Sequence, residues 1–137
     1  MFENLAKNTL VPLVLRLGLA VIFIFHGYEK IGQDWGADWA KGAPNPPGAP
    51  VQMAVAWGEF VGGIAMAIGL LTRLAALGLA AIMVGAIVQV HWQHGFSMQQ
   101  QGFEYNFAIL VICAGVFLLG AGTLSVDRIF RFRRREI

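Results

Sequence analysis

The chain has 137 residues, 57% of them hydrophobic and 13% charged, a net charge of +2 and a mean hydropathy of +0.62. Water-soluble domains carry about 25% charged residues, and folding in water buries only about two-thirds of the surface a chain of this size exposes. A soluble globular enzyme and a disordered chain are therefore both excluded. The length suits one domain, residues 1–137, with room for four membrane-crossing helices of about 20 residues each.

The first apolar stretch runs over residues 10–28, with Asn8 or Thr9 as a candidate cap and Pro12 in the first turn. It lacks a small-x-small cleavage site after the apolar run and does not read as a signal peptide. Arg16 lies inside it, and it ends in His26-Gly27-Tyr28-Glu29-Lys30, where His26 and Glu29 share a helix face. A first loop, residues 29–50, follows. Its Ala43–Pro50 segment holds four prolines and cannot be helical. Trp35 and Trp39, spaced i, i+4, are expected on one face of a short interfacial turn.

The second stretch covers residues 51–71 and carries Glu59 near its middle. An ionisable group at that depth costs about 2.5 kcal/mol or more, which marks both Glu59 and Arg16 for function or for pairing. In antiparallel helices their depths differ by about one to two turns at ~1.5 Å per residue, so a buried Arg16–Glu59 pair is expected. The alternative for Glu59 is proton exchange with a bound ligand. Gly58-x-x-x-Gly62, Gly63 and Gly69 offer close-packing faces, as do Gly78 and Gly85 on the third stretch. Such faces suit a tight bundle or a homo-oligomer.

The third stretch, residues 74–92, follows a turn so short that the second and third helices must be antiparallel neighbours. Gln89, His91 and His94 lie at its far end. A second loop leads to the fourth stretch, residues 103–124, which Glu104, Tyr105 and Asn106 enter and which contains the lone Cys113. One cysteine permits no intrachain disulfide and no dithiol exchange, and Cys113 reads as a small core hydrophobe. The tail, residues 125–137, is basic.

Four crossings put both termini on one side, with Lys7, Arg73, Arg128, Arg131, Arg133, Arg134 and Arg135. The opposite side keeps only Lys30 and Lys41. That bias sets the termini in the cytoplasm. The expected fold is an all-α integral membrane protein: a four-transmembrane-helix antiparallel bundle, both termini cytoplasmic, in a bacterial-type plasma (inner) membrane. Beside a membrane span the arginine-rich tail reads as an anchor to anionic lipid and not as a nucleic-acid patch.

All three histidines, with Glu29 and Glu104, fall at the outer helix ends, where they are expected to border one polar pocket. A quinone needs a flat apolar slot with a His, Tyr or Glu at each carbonyl, because its reduction takes up protons. Phe23, Phe25, Trp57, Trp92, Phe96, Phe103 and Phe107 are available as walls. His26, Glu59 and Glu104 are the candidate catalytic groups. Arg16, His26, Glu29, Lys30, Glu59, His91, Phe96 and Glu104 are the candidate ligand-binding residues. Bundle di-metal sites use Glu and Glu-x-x-His, whereas this chain has His26-x-x-Glu29 and His91-x-x-His94. No metal is therefore expected, and His26, Glu29, His91, His94 and Glu104 are the residues a metal would use. No haem or flavin motif is present.

Arg16 with Phe25-His26-Gly27-x-x-Lys30, then Glu59-x-x-Gly62-Gly63 and Gly69-Leu70-Leu71-Thr72-Arg73-x-Ala75-Ala76, resemble the DoxX-like family of small four-helix membrane proteins. His91-x-x-x-Gly95-Phe96, Gly102-x-Glu104 and Gly120-Ala121-Gly122-x-x-Ser125-x-Asp127 extend the resemblance over nearly the whole chain outside the first loop. The resemblance implies a membrane fold and redox chemistry, since some relatives look like subunits of thiosulfate:quinone oxidoreductase and others are associated with oxidative-stress complexes. The expected function is a quinone-interacting subunit of a membrane oxidoreductase, working with a soluble or membrane partner. The alternative is a non-enzymatic binding, transport or assembly protein, a metal-binding one included.

Overall fold

The computed structural model describes residues 1–133, with helices, turns and loops and no strand among them. Arg134, Arg135 and Ile137 of the basic tail lie outside the described residues. Helix α1 is Phe2–Ile31, α2 is Ala49–Ile68 and α3 is Thr72–His94. Helix α4 is Glu104–Leu119, and a short α5 is Val126–Arg133. The first three are long and apolar enough to cross a membrane, and no more than 33% of the most apolar window of each is buried. Val14, Val21, Val61, Leu77 and Val111 all point outward, giving an apolar surface that lipid covers and water would not tolerate. Helix α4, with 16 residues, covers about 24 Å at 1.5 Å per residue.

Helix α1 starts earlier than the apolar run suggests. Asn8 and Thr9 do not cap it: the chain is already helical from Phe2, with a wider π-type turn over Ala6–Leu10. Pro12 explains the widening, because its ring crowds the carbonyl four residues back and it has no N–H to donate there. The freed Asn8 carbonyl accepts the Thr123 N–H at 2.9 Å. Gly122, at φ +76°, fits into the notch, where a Cβ would stand 2.8 Å from Pro12 Cβ. The Thr9 and Thr123 hydroxyls share a further hydrogen bond.

Glycine sets the register between α1 and α2. A Cβ on Gly27 would lie 2.5 Å from the Phe60 backbone nitrogen, and one on Gly63 would lie 2.8 Å from that of Ile24. The backbones therefore touch at 27 against 60 and at 24 against 63, and the level of Arg16 falls near residue 71. Glu59 is 12 positions above that level, or about 18 Å. The expected Arg16–Glu59 pair is thus corrected. Depth measured from the ends of the apolar runs misplaced Arg16, since α1 extends well below residue 10.

Arg16 is 1% exposed and works at the opposite end of the bundle from Glu59. Its Nε donates to the Met66 carbonyl at 3.0 Å and its Nη2 to Ala67 at 3.2 Å. Its Nη1 donates to Ala121 and to Leu124, the latter at 2.9 Å. The bonds to Met66 and Ala67 satisfy carbonyls that the end of α2 leaves without helical partners, and those to Ala121 and Leu124 hold the loop after α4. Gly69 and Leu71 turn the chain with φ of +70° and +47°. Asp127 then caps α3 from far along the sequence, its two oxygens accepting the Leu71 and Thr72 N–H groups at 2.6 and 2.9 Å.

Between these ends lies one contiguous core that includes Leu19, Phe23, Met66, Leu79, Ile109, Cys113 and Val116. Gly58 and Gly62 pack under Ile82 and Leu79 of α3, whereas Gly18, Gly78 and Gly85 have nothing within 4 Å. The fourth apolar run is helical only to Leu119, because Gly120 leaves the helix at φ +79° and ψ −164°.

Candidate functional site

The register that separates Arg16 from Glu59 brings Lys30 to it. Lys30 closes the last turn of α1, two residues above the level of Glu59, and its long stem reaches down. The Lys30 ammonium donates to Glu59 Oε2 at 2.6 Å, with the two side chains 21% and 4% exposed. Burial of this kind is tolerated because each charge neutralises the other. Glu59 Oε1 takes no hydrogen bond from any described residue, and Lys30 keeps donors to spare. Tyr105, in the first turn of α4, lies within electrostatic reach of Glu59.

The first loop roofs this pair. The Lys30 ammonium stands 5.2 Å from the Trp39 ring centre, a cation–π distance. Trp39 is held in place by its indole N–H, which donates to the Gln52 carbonyl at 2.8 Å. The buried Gln52 side chain accepts from Ala40 N–H at 2.9 Å and donates to the Pro47 carbonyl at 2.7 Å. Trp57 adds a clasp, its indole N–H donating to the Trp35 carbonyl at 3.0 Å. Trp35 and Trp39 do not share a helix face, as the spacing suggested. Asp34 and Trp35 take φ of +48° and +56° and Gly36 takes +91°, which reverses the chain between the two rings. Trp35 is left 71% exposed.

The other expected site residues have separate partners. His26 Nδ1 lies 3.9 Å from Glu29 Oε2, on the half-exposed face of α1, and its ring meets Phe25 edge-on. His91 Nδ1 pairs with the Gln101 carbonyl at 2.7 Å and His94 Nδ1 with the Val90 carbonyl at 3.2 Å. Glu104 accepts the Met98 N–H at 3.0 Å and so closes the second loop. Trp92 stacks on Phe103 at 5.6 Å, and Phe96 meets Phe103 and Phe107 edge-on at 5.4 and 6.2 Å. These rings fill the second loop with one another. Phe23 is a core residue at 1% exposure and lines nothing open. Among the described residues no three His, Cys, Asp or Glu side chains gather closely enough to hold a metal ion, so His26, Glu29, His91, His94 and Glu104 form no such centre.

Sequence reasoning named Lys30 and Glu59 separately but missed their pairing, and it missed Gln52 altogether. A signal was present for Gln52. Gln52 is a lone amide in the apolar first turns of α2. The pairing follows from the backbone contacts of Gly27 at Phe60 and of Gly63 at Ile24.

The chain resembles known proteins along most of its length. It is 31% identical over 124 residues to an uncharacterized protein of Haemophilus influenzae, covering 87% of this chain and 82% of that one. It is 31% identical over 120 residues to the Escherichia coli protein named "Inner membrane protein YqjF", covering 85% and 89% of the two chains. The Bacillus subtilis protein named "Putative oxidoreductase CatD" is 29% identical over 115 residues, covering 84% and 83%. No solved structure matches the chain. The DoxX family profile matches residues 11–92, which include Arg16, His26, Lys30 and Glu59, and this membrane protein belongs to the DoxX family.

Proposed function

We propose that the chain is the membrane subunit of an oxidoreductase system and binds a quinone at the Lys30–Glu59 pair. In this reading α1 to α4 all cross a bacterial inner membrane, the termini are cytoplasmic and the two loops face outward. The positive-charge bias supports that orientation, and the name of the E. coli relative supports the membrane. The observation that carries the reading is the 2.6 Å pair itself, with Glu59 buried and Lys30 partly open under Trp39.

Reduction of a quinone adds two electrons and two protons, and negative charge develops on its carbonyl oxygens. A Lys30 ammonium that has donors to spare supplies hydrogen bonds to such an oxygen, which a dry site strengthens. Glu59 exchanges a proton with Lys30 or with the ligand, and His26, one turn before Lys30, and the adjacent Glu29 relay protons from water to the site. Glu104, His91 and Phe96 lie at the second loop, where their partners are the loop's own residues. The chain holds no evident redox centre of its own, so the electrons come from a partner oxidoreductase. The name of the B. subtilis relative agrees with that class of chemistry.

Titration of a short-chain quinone against the detergent-purified protein, read by tryptophan fluorescence, tests the proposal. Wild type is expected to bind, with Lys30→Gln and Glu59→Gln weakened about tenfold or more, the ~1.4 kcal/mol of one charge-assisted hydrogen bond. His26→Ala and Glu104→Ala should lose less. Absence of binding in wild type, or equal affinity in all variants, removes the quinone and leaves a non-enzymatic binding or assembly role.

A further inference from the structure

We propose that the end of the bundle where α5 lies holds a second site, which binds the phosphate of an anionic glycerophospholipid through Arg73, Arg128 and Arg131. A cavity of about 390 Å³ opens there between the start of α3, the loop after α4 and helix α5. Among the described residues, Arg73, Arg128 and Arg131 line it together with one carboxylate residue, Asp127. That carboxylate is already committed, since both its oxygens accept backbone N–H groups of Leu71 and Thr72. None of the three arginines has an acidic partner among the described residues. Arg73 makes only a long 3.4 Å bond to the Leu118 carbonyl, and Arg128 lies 5.2 Å over the Phe132 ring.

Three cations around one cavity repel one another unless an anion sits between them, and planar guanidinium forks match phosphate oxygens well. The surroundings choose between a lipid and a free phosphate. Leu119 is 49% exposed at the rim, and Ile129, Phe130 and Phe132 of α5 are 64%, 55% and 56% exposed. Arginines and bare apolar side chains on one short helix suit the headgroup layer, where the apolar side chains enter the acyl region and the cations meet phosphates. A soluble phosphate uses the arginines and leaves the apolar rim in water. A lipid satisfies both.

Native mass spectrometry of the full chain, released from detergent with added phosphatidylglycerol or phosphatidylcholine, tests this directly. Phosphatidylglycerol adducts should be retained over phosphatidylcholine adducts. Arg128→Gln with Arg131→Gln, both at exposed positions, should weaken retention by about fivefold per arginine, the fold-change of one basic residue near an anionic surface. The Lys versions should recover part of the loss, and adding Arg73→Gln should remove what remains. Arg134→Gln with Arg135→Gln, beyond the described residues, should keep the adduct. Equal retention of both lipids, full retention by the triple variant, or an equal loss from the tail variant would overturn the proposal. So would displacement of the lipid by glycerol phosphate at equal concentration, which would assign the cavity to a soluble anion.

Discussion

Arg16 and Lys30 are both cations on α1, yet they do opposite work. Arg16 spends its donors on four carbonyls, which fixes it as a joint between α1, the end of α2 and the loop after α4. Lys30 makes one strong bond and keeps donors free. A double-mutant cycle separates the two roles. Lys30→Met and Glu59→Met are expected to couple by roughly 1–3 kcal/mol in detergent unfolding, since losing either partner alone strands a charge. Arg16 and Glu59, about 18 Å apart along the helices, should be additive within about 0.5 kcal/mol. Strong Arg16–Glu59 coupling would contradict the register that Gly27 and Gly63 impose. The sequence alone marks all three charges as expensive. It does not reveal their partners, because a pairing depends on helix register and an apolar run shows only helix length.

Among the elements, the loop after α4 is the least legible and the most tightly built. Its glycines look like ordinary helix breakers in the sequence. Only Pro12, far away in the chain, explains why Gly122 must be glycine: φ is +76° and the notch admits no Cβ. Gly122→Ala should therefore destabilise the folded protein by about 1–3 kcal/mol, the sum of left-handed strain and a forced contact. Gly78→Ala, on an open helix face, should be neutral or stabilising by up to about 1 kcal/mol. Thermal unfolding of the two variants in the same detergent checks the contrast, and equal effects would refute it. The long helices themselves were legible, because fifteen or more apolar residues between turn signals leave few alternatives. The first loop was legible only as non-helical, and wrongly so at Ala49 and Pro50, which open α2 because a proline is tolerated in a helix's first turn. Nothing in its composition shows that Trp39 turns inward over Lys30 while Trp35 turns out.

For the molecule as a whole, the proposed topology makes the loop between α1 and α2 external. A cysteine at Ala43, on a Cys113→Ser background, should react with an impermeant thiol reagent in intact cells, and one at Ile137 should react only after lysis. The reverse pattern would invert the bundle and place the Lys30–Glu59 pair at the cytoplasmic face. The start of α1, the loop after α4 and the start of α5 share one end in either case, since Thr123 bonds Asn8 and Asp127 N–H bonds the Gly69 carbonyl.

Those same bonds make the bundle mechanically lopsided. At the end where α5 lies, Arg16, Asp127 and the two threonines stitch the α1–α2 hairpin to the α3–α4 hairpin. At the far end every side-chain hydrogen bond among the described residues stays within its own hairpin: Trp39, Trp57 and Lys30 on one side, His91, Glu104 and Asn106 on the other. Spreading the hairpins there breaks no polar bond, and in a bilayer the apolar faces that part meet acyl chains at little penalty. The molecule is built like a pair of tongs, riveted at one end and held closed at the other by packing alone.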